Sequence, residues 1–115
     1  MKRYCLALDL KDDDKLIAEY ETYHKIIWPE VEKSIKESGI EQMEIYRTGN
    51  RLFMIMETKD DFSFEKKAKM DAGNDKVQEW EQLMWKYQQA LPGSEPGEKW
   101  KLMDKIFETP TPKGE

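Results

Sequence analysis

Residues 41–58 read "EQMEIYRTGNRLFMIMET", and this stretch decides the fold because it combines two strand-like runs with a tight reversal. The runs 41–47 and 52–58 are joined through "TGN" at residues 48–50, which supplies the glycine and asparagine that short hairpin turns favour. The segment "LFMIM" is apolar on both faces of its pleat, unlike a strand with one solvated side. The sequence therefore predicts a β-hairpin whose second strand is covered on both faces, with another copy of the protein as one candidate cover.

A further strand is predicted near the N-terminus, where residues 4–10 read "YCLALDL". Side chains alternate along this run with the period of two that a strand requires. The two predicted faces carry Tyr4, Leu6, Leu8 and Leu10 on one side and Cys5, Ala7 and Asp9 on the other.

A broken helix is predicted between this strand and the hairpin. Residues 15–27, "KLIAEYETYHKII", repeat apolar positions at spacings of three or four, and the aspartates before them suit a helix start. Pro29 disfavours helical dihedrals in Trp28 and is itself suited to a first helical turn. The helix should therefore break near residues 25–28, restart at Pro29 and end at Gly39, a residue that accepts left-handed dihedrals.

After the hairpin, the pattern predicts more helix and then a last strand. Residues 60–73 are typical of a short helix, and residues 74–91 of a longer one capped by Asn74 or Asp75. A Pro/Gly-rich loop follows, "KWKLMDKIFE" at 99–108 alternates like a strand, and residues 109–115 are a polar, proline-interrupted segment that we expect to be flexible.

The predicted order is strand, broken helix, strand, strand, helical segment, strand. This is the split βαβ arrangement of a ferredoxin-like α+β domain, an antiparallel sheet with helices on one face. We expect one such domain over residues 1–108, of the dimeric α/β-barrel type, because the bare face of such a sheet is where a second copy or a ligand usually binds.

Composition narrows the classes of partner. The chain has 115 residues and a formal net charge of −5 with the two signs interspersed, so it lacks the basic stripe that follows a phosphate backbone. It has no stretch near 18 apolar residues and no signal-peptide pattern. We therefore expect a cytoplasmic protein that binds neither nucleic acid nor membrane.

Cofactor and metal signatures are also missing from the sequence. Cys5 and His24 are the only cysteine and histidine, so one chain cannot assemble a zinc site of the usual kind. The six glycines form neither a dinucleotide-binding nor a triphosphate-binding loop. We expect no cofactor and no metal.

His24 is the only histidine and a candidate catalytic residue, and two interpretations of it stay open. Near the end of a helix it could be a structural side chain bonded to a carbonyl oxygen. Alternatively, the helix dipole favours its charged form while partial burial opposes it, leaving a group that titrates near neutrality. Tyr20 lies one turn earlier on the same side, as either a core residue or a ligand contact. Trp80 and Trp85 fit either a buried stripe or an apolar platform for a sugar ring.

The sequence resembles the L-rhamnose mutarotase family, small dimeric ferredoxin-like enzymes that interconvert sugar anomers. The resemblance rests on "Y-x-x-x-H-x-x-I-W-P-E" at residues 20–30, "GIEQMEIYRTGNRLFMIMET" at 39–58 and "VQEWEQLM" at 77–84, and it spans about residues 3–108. The stretch "DDFSFEKKAKMDA" is similar to sequences associated with L-fucose use. The resemblance implies a mutarotase that acts on L-rhamnose or L-fucose.

The resemblance also implies roles for particular residues. His24 corresponds to the family's proton donor, and Tyr20 to a tyrosine that contacts the sugar. Met43 stands where the family has a tyrosine, and Trp80 with Glu81 stands where the family has two adjacent tryptophans. These four residues are therefore the expected substrate contacts around His24, with Glu81 as a candidate second acid–base group.

Two rival functions share the same fold. A cofactor-independent monooxygenase or haem-binding protein could use one histidine, although a basic cluster for haem carboxylates is missing. A dimer that binds a sugar without turnover is the second rival.

Overall fold

The computed structural model describes residues 1–110, and the last part of the predicted flexible tail, residues 111–115, lies outside the described residues. Its elements follow the predicted order, with two differences near the C-terminus. They are β1 (Lys2–Leu10), α1 (Asp14–Lys25), α2 (Pro29–Glu37), β2 (Ile40–Thr48), β3 (Arg51–Thr58), α3 (Phe64–Ala72), α4 (Asp75–Trp85), β4 (Gln88–Gln89) and β5 (Lys101–Leu102).

The predicted hairpin and first strand form the three long strands of the sheet. β2 pairs antiparallel with β3, and β3 pairs antiparallel with β1, giving the strand order β2-β3-β1-β4. Gly49 takes a left-handed φ of 56° in the turn between β2 and β3, which explains the need for glycine there. This order and the helices packed on one face confirm the ferredoxin-like prediction.

The two faces of β1 also differ as predicted. Leu6, Leu8 and Leu10 are buried against the helices, and their neighbours on β3 are Met54 and Leu52. The opposite face of β3 presents Phe53 and Ile55, which are half-buried. The apolar core therefore lies between one face of the sheet and the helices.

The helix break forms at the predicted position. Asp13 caps α1 by accepting hydrogen bonds from the backbone N–H groups of Lys15 and Leu16, and the helix ends at Lys25. Pro29 opens α2 as a first-turn residue. Gly39, with a φ of 98°, follows the end of α2 and directs the chain into β2.

The prediction for the long helix was wrong at its end. α4 stops at Trp85 instead of continuing to residue 91, and Gln88 and Gln89 form β4 beside Leu10 and Asp9 of β1. Glutamines favour helices, but pairing satisfies backbone groups on the open edge of β1, and this tertiary term outweighs helix propensity.

The prediction for the last strand was too long. Only Lys101 and Leu102 form β5, which pairs with Leu6 and Ala7, and the Met103 N–H donates a final bond to the Cys5 carbonyl oxygen at 2.8 Å. Residues 103–108 leave the sheet and are exposed. The edge of β1 is therefore covered by two short strands separated by residues 90–100, not by one long strand.

Among residues 1–110, no helix is both long enough and apolar enough to cross a bilayer.

Candidate active site

A cavity of about 560 Å³ lies between the inner face of the sheet and the helices. This volume falls within the usual range for pockets that bind small molecules. The five residues to which the family resemblance gave a role all line it: Tyr20, His24, Met43, Trp80 and Glu81. The structure therefore brings together side chains from α1, β2 and α4.

His24 occupies the last turn of α1, where the helix ends ahead of the break at Pro29. Its Nδ1 lies 2.9 Å from the backbone carbonyl oxygen of Tyr20. A carbonyl oxygen can only accept, so Nδ1 carries the proton in this bond, and the neutral ring has Nε2 as its free acceptor. Over residues 1–110, only the Nδ1 nitrogen of this ring has a protein hydrogen-bond partner.

Burial decides the titration of His24. Partial burial lowers the pKa of the imidazole below its ordinary value of 6.5, and the hydrogen bond to the Tyr20 carbonyl opposes this shift without cancelling it. The ring is consequently mostly neutral at pH 7, with an imidazolium form that is a stronger acid than an exposed histidine. Burial therefore outweighs the hydrogen bond in setting the direction of the pKa shift of His24.

Tyr20 is almost fully buried, with 3% of its surface exposed. Its ring lies over the His24 ring at a centroid distance of 4.3 Å. Burial raises the pKa of the Tyr20 phenol to about 12, and a side-chain hydrogen bond with Gln88 partly opposes the shift. Tyr20 therefore stays a neutral hydroxyl across the physiological range.

Trp80 forms the aromatic wall on the other side of His24. The two ring centroids are 5.5 Å apart in an edge-on arrangement, and Trp28 packs edge-on against the same indole at 5.2 Å. Trp85, the other tryptophan of α4, is 39% exposed and is not among the cavity-lining residues. Of these two tryptophans, Trp80 is buried beside the cavity, and Trp85 belongs neither to the buried stripe nor to the cavity wall.

Met43 and Glu81 stand on different walls. Met43 projects from the inner face of β2, opposite Met56 of β3, and Glu81 follows Trp80 on α4. The Glu81 carboxylate is 3.9 Å from the ammonium of Lys99, a long ion pair that leaves its oxygens open to other donors.

Several lining residues were missed by the sequence analysis. Gln88 reaches the cavity because β4 places it opposite Leu10, and Trp100 and Lys99 reach it from the segment before β5. Gln88 was missed because residues 74–91 were predicted to form one helix, whereas Gln88 lies in β4. A tryptophan directly after a Pro/Gly-rich loop was a usable signal for Trp100.

A polar trio was also missed: Ser34 of α2 with Lys67 and Asp71 of α3. These residues are of types that usually occupy helix surfaces, so their sequence pattern carries no sign of burial.

Comparison with known proteins identifies the family. The sequence profile of the family described as L-rhamnose mutarotase matches residues 3–109. The chain belongs to this family. It is therefore a mutarotase, an isomerase that interconverts the anomers of 6-deoxyhexoses, and the resemblance carried by residues 20–30 is confirmed.

Two relatives are similar over nearly the whole mutarotase chain. An L-fucose mutarotase from Xanthomonas campestris is 50% identical over 109 residues, covering 93% of this chain and 87% of that protein. A UPF0734 protein from Dictyostelium discoideum is 39% identical over 114 residues, covering 93% of this chain and 89% of that protein.

Solved structures agree on the fold. An L-rhamnose mutarotase from Formosa agariphila superimposes with a TM-score of 0.70 at 20% identity, covering 96% of this chain and all of that one. Tetracenomycin F2 cyclase from Streptomyces glaucescens gives a TM-score of 0.64 at 14% identity, covering 97% and 100%. At such identities the likeness supports the ferredoxin-like architecture alone, and the family match favours the mutarotase over its monooxygenase rival.

Proposed function

We propose that this mutarotase acts preferentially on L-fucose. The support is the 50% identity, over 93% of this chain, to a protein named L-fucose mutarotase. Met43 lines the cavity where the family has a tyrosine, so the sugar's surroundings here lack one hydroxyl.

Anomer interconversion requires two proton transfers. Opening a pyranose ring moves one proton onto the ring oxygen and removes one from the anomeric hydroxyl, and closure on the other face of the carbonyl reverses both transfers. Electrons stay paired and the sugar's composition is unchanged, so acid–base groups suffice. Positioned acid–base catalysis contributes on the order of 10² to 10⁴ in rate.

His24 is the proton donor to the ring oxygen in this proposal. The observation that carries it is the hydrogen bond from Nδ1 to the Tyr20 carbonyl, which fixes the ring and leaves Nε2 as the exchanging atom beside the cavity. The lowered pKa makes the imidazolium a stronger acid, so proton transfer to a weakly basic ether oxygen is less uphill.

The other lining residues receive complementary roles. The Tyr20 hydroxyl, held neutral by burial, orients the sugar by hydrogen bonding, and Trp80 and Met43 support its apolar face. The Glu81 carboxylate accepts the proton of the anomeric hydroxyl.

We also propose a cytoplasmic homodimer built from one domain over residues 1–108. Phe53 and Ile55 give β3 an apolar outer face, and Ile106 and Phe107 are 95% and 75% exposed beyond β5. Apolar side chains that are half-buried on β3 and exposed after β5 favour association with a second copy.

Magnetisation-exchange NMR on equilibrated L-fucose and L-rhamnose tests the function. The wild-type protein should accelerate anomer exchange, faster for L-fucose, and His24→Asn should return it to the buffer rate while the folded spectrum is retained. Lys25→Asn, at the exposed neighbouring position, is the matched control and should leave exchange unchanged. Saturable sugar binding with exchange at the buffer rate in the wild type would select the non-catalytic sugar-binding rival instead.

A further inference from the structure

A charged pair lines the cavity at a place that the proposed mechanism does not use. The Lys67 ammonium donates to Asp71 Oδ2 at 2.5 Å, and the Ser34 hydroxyl donates to Asp71 Oδ1 at 3.0 Å. Ser34 and Asp71 are 5% and 7% exposed, and all three residues line the same cavity as His24.

Stability alone is a weak reason for such a pair. Removing two charges from water is costly, and apolar side chains of the same size often stabilise a protein equally well. Asp71 has both carboxylate oxygens engaged, so it is positioned by its partners. An ammonium has three N–H donors, and within the described chain Asp71 is the only hydrogen-bond acceptor of Lys67, so two donors remain for a ligand.

The pair and His24 reach the same cavity from different helices. His24 packs on Trp80, which belongs to the apolar cluster around Leu10. Lys67 lies one helical turn after Phe64, whose ring contacts Tyr4 near the start of β1. The pair thus lies on the α2–α3 side of the cavity, and His24 lies on its α1–α4 side.

We propose that Lys67 and Ser34, positioned by Asp71, form a hydroxyl-binding subsite that holds the sugar's 3-hydroxyl. In a pyranose, C3 is the ring atom directly opposite the ring oxygen, which is the atom that His24 protonates in the proposed function, on which this inference rests. Lys67 donates to the hydroxyl and Ser34 Oγ accepts from it.

The subsite recognises the 3-hydroxyl, a group whose configuration the two candidate substrates share. L-fucose and L-rhamnose have the same configuration at C3 and differ at C2 and C4, so the subsite accepts both and discriminates against sugars that lack or invert the 3-hydroxyl. Hydrogen bonds to a charged group are among the stronger ones in proteins, so losing this one should weaken binding about tenfold to a hundredfold.

A double comparison of protein and sugar tests the subsite. Dissociation constants for L-fucose and 3-deoxy-L-fucose are measured through tryptophan fluorescence for wild type and Lys67→Met. The substitution should weaken L-fucose binding by the stated factor and 3-deoxy-L-fucose binding by less than about threefold, since that analogue has already lost the contact. Lys67→Arg should recover part of the L-fucose affinity.

The control is Lys69→Met on the same helix, whose side chain is 78% exposed and pairs with Glu65. It should bind both sugars like the wild type. Should Lys67→Met unfold because it strands the Asp71 charge, Lys67→Met/Asp71→Leu removes both charges and allows the same comparison.

The subsite would be overturned if Lys67→Met weakened the binding of L-fucose and 3-deoxy-L-fucose equally, or weakened neither. It would also be overturned if the substitution left the binding of 2-deoxy-L-fucose or 4-deoxy-L-fucose nearly unchanged while weakening that of the 3-deoxy sugar. Repeating the titration in His24→Asn separates the two proposals, because binding does not require turnover. If the wild-type protein did not accelerate anomer exchange, the proposed function would be excluded, and the binding titration would still test the subsite.

Discussion

The Nδ1–H of His24 donates to the backbone carbonyl oxygen of Tyr20, one helical turn earlier, at 2.9 Å. The bond fixes the tautomer of the neutral ring, so Nε2 is the nitrogen that would exchange protons with a sugar in the proposed mechanism. It also ties the orientation of the imidazole to Tyr20, a residue that lines the same cavity.

The pH dependence of catalysis tests His24 as the proton donor. A donor must be protonated, so kcat/KM for anomer exchange should fall as the pH rises through the pKa of His24, which burial places below 6.5. The measurement is exchange NMR from pH 4.5 to 8, with buffer exchange subtracted. A rate that instead rises through this pKa would make His24 the base and contradict the assignment.

The same pKa shift predicts how stability varies with pH. The folded pKa of His24 lies below its unfolded value near 6.5, so the unfolded chain binds more protons between the two values. The contribution to the free energy of unfolding is fully present above pH 6.5 and is lost as the pH falls through the folded pKa. The free energy of unfolding, measured with urea from pH 5 to 7.5, should rise less steeply with pH for His24→Gln than for wild type. An identical dependence on pH in the two proteins would exclude this burial effect.

Glu81→Gln tests the second proton transfer. A base that accepts the anomeric proton should cost on the order of 10² in kcat when replaced by an amide, with a small change in KM. Glu79→Gln is the control, because Glu79 is exposed on α4 and pairs with Lys76. A raised KM with unchanged kcat would instead make Glu81 a hydroxyl acceptor that binds the sugar.

The exposed apolar end of the described chain tests the dimer. Ile106→Glu/Phe107→Glu places charges where we propose a second copy packs, so sedimentation velocity should show a monomer where the wild type sediments as a dimer. Met70→Glu changes an exposed apolar residue on α3 and should leave the wild-type assembly intact. A dimer that survives the double substitution would exclude this segment from the interface.

Local pattern was enough to predict the centre of the fold. Backbone geometry within a few residues fixes three features: the alternation in residues 4–10, the reversal at Gly49 and the break at Pro29. The sequence alone therefore predicts them. The family motif in residues 20–30 likewise pointed to His24 and Tyr20 before the cavity was known.

The edge of the sheet and the far end of the cavity depended on contacts between distant parts of the chain. Gln88 leaves a good helical pattern because the open edge of β1 needs backbone partners, and Ile106 and Phe107 extend beyond a strand only two residues long. Lys67 and Asp71 have the spacing of an ordinary surface ion pair, and only the packing of α3 beside α2 turns them toward the cavity. The sequence by itself determined the order of the elements from β1 to α3 and pointed to His24 as the candidate proton donor, since both follow from local geometry and motif. The tertiary structure alone decided which side chains share the cavity and that burial lowers the pKa of His24, because desolvation and pairing arise only when distant segments meet.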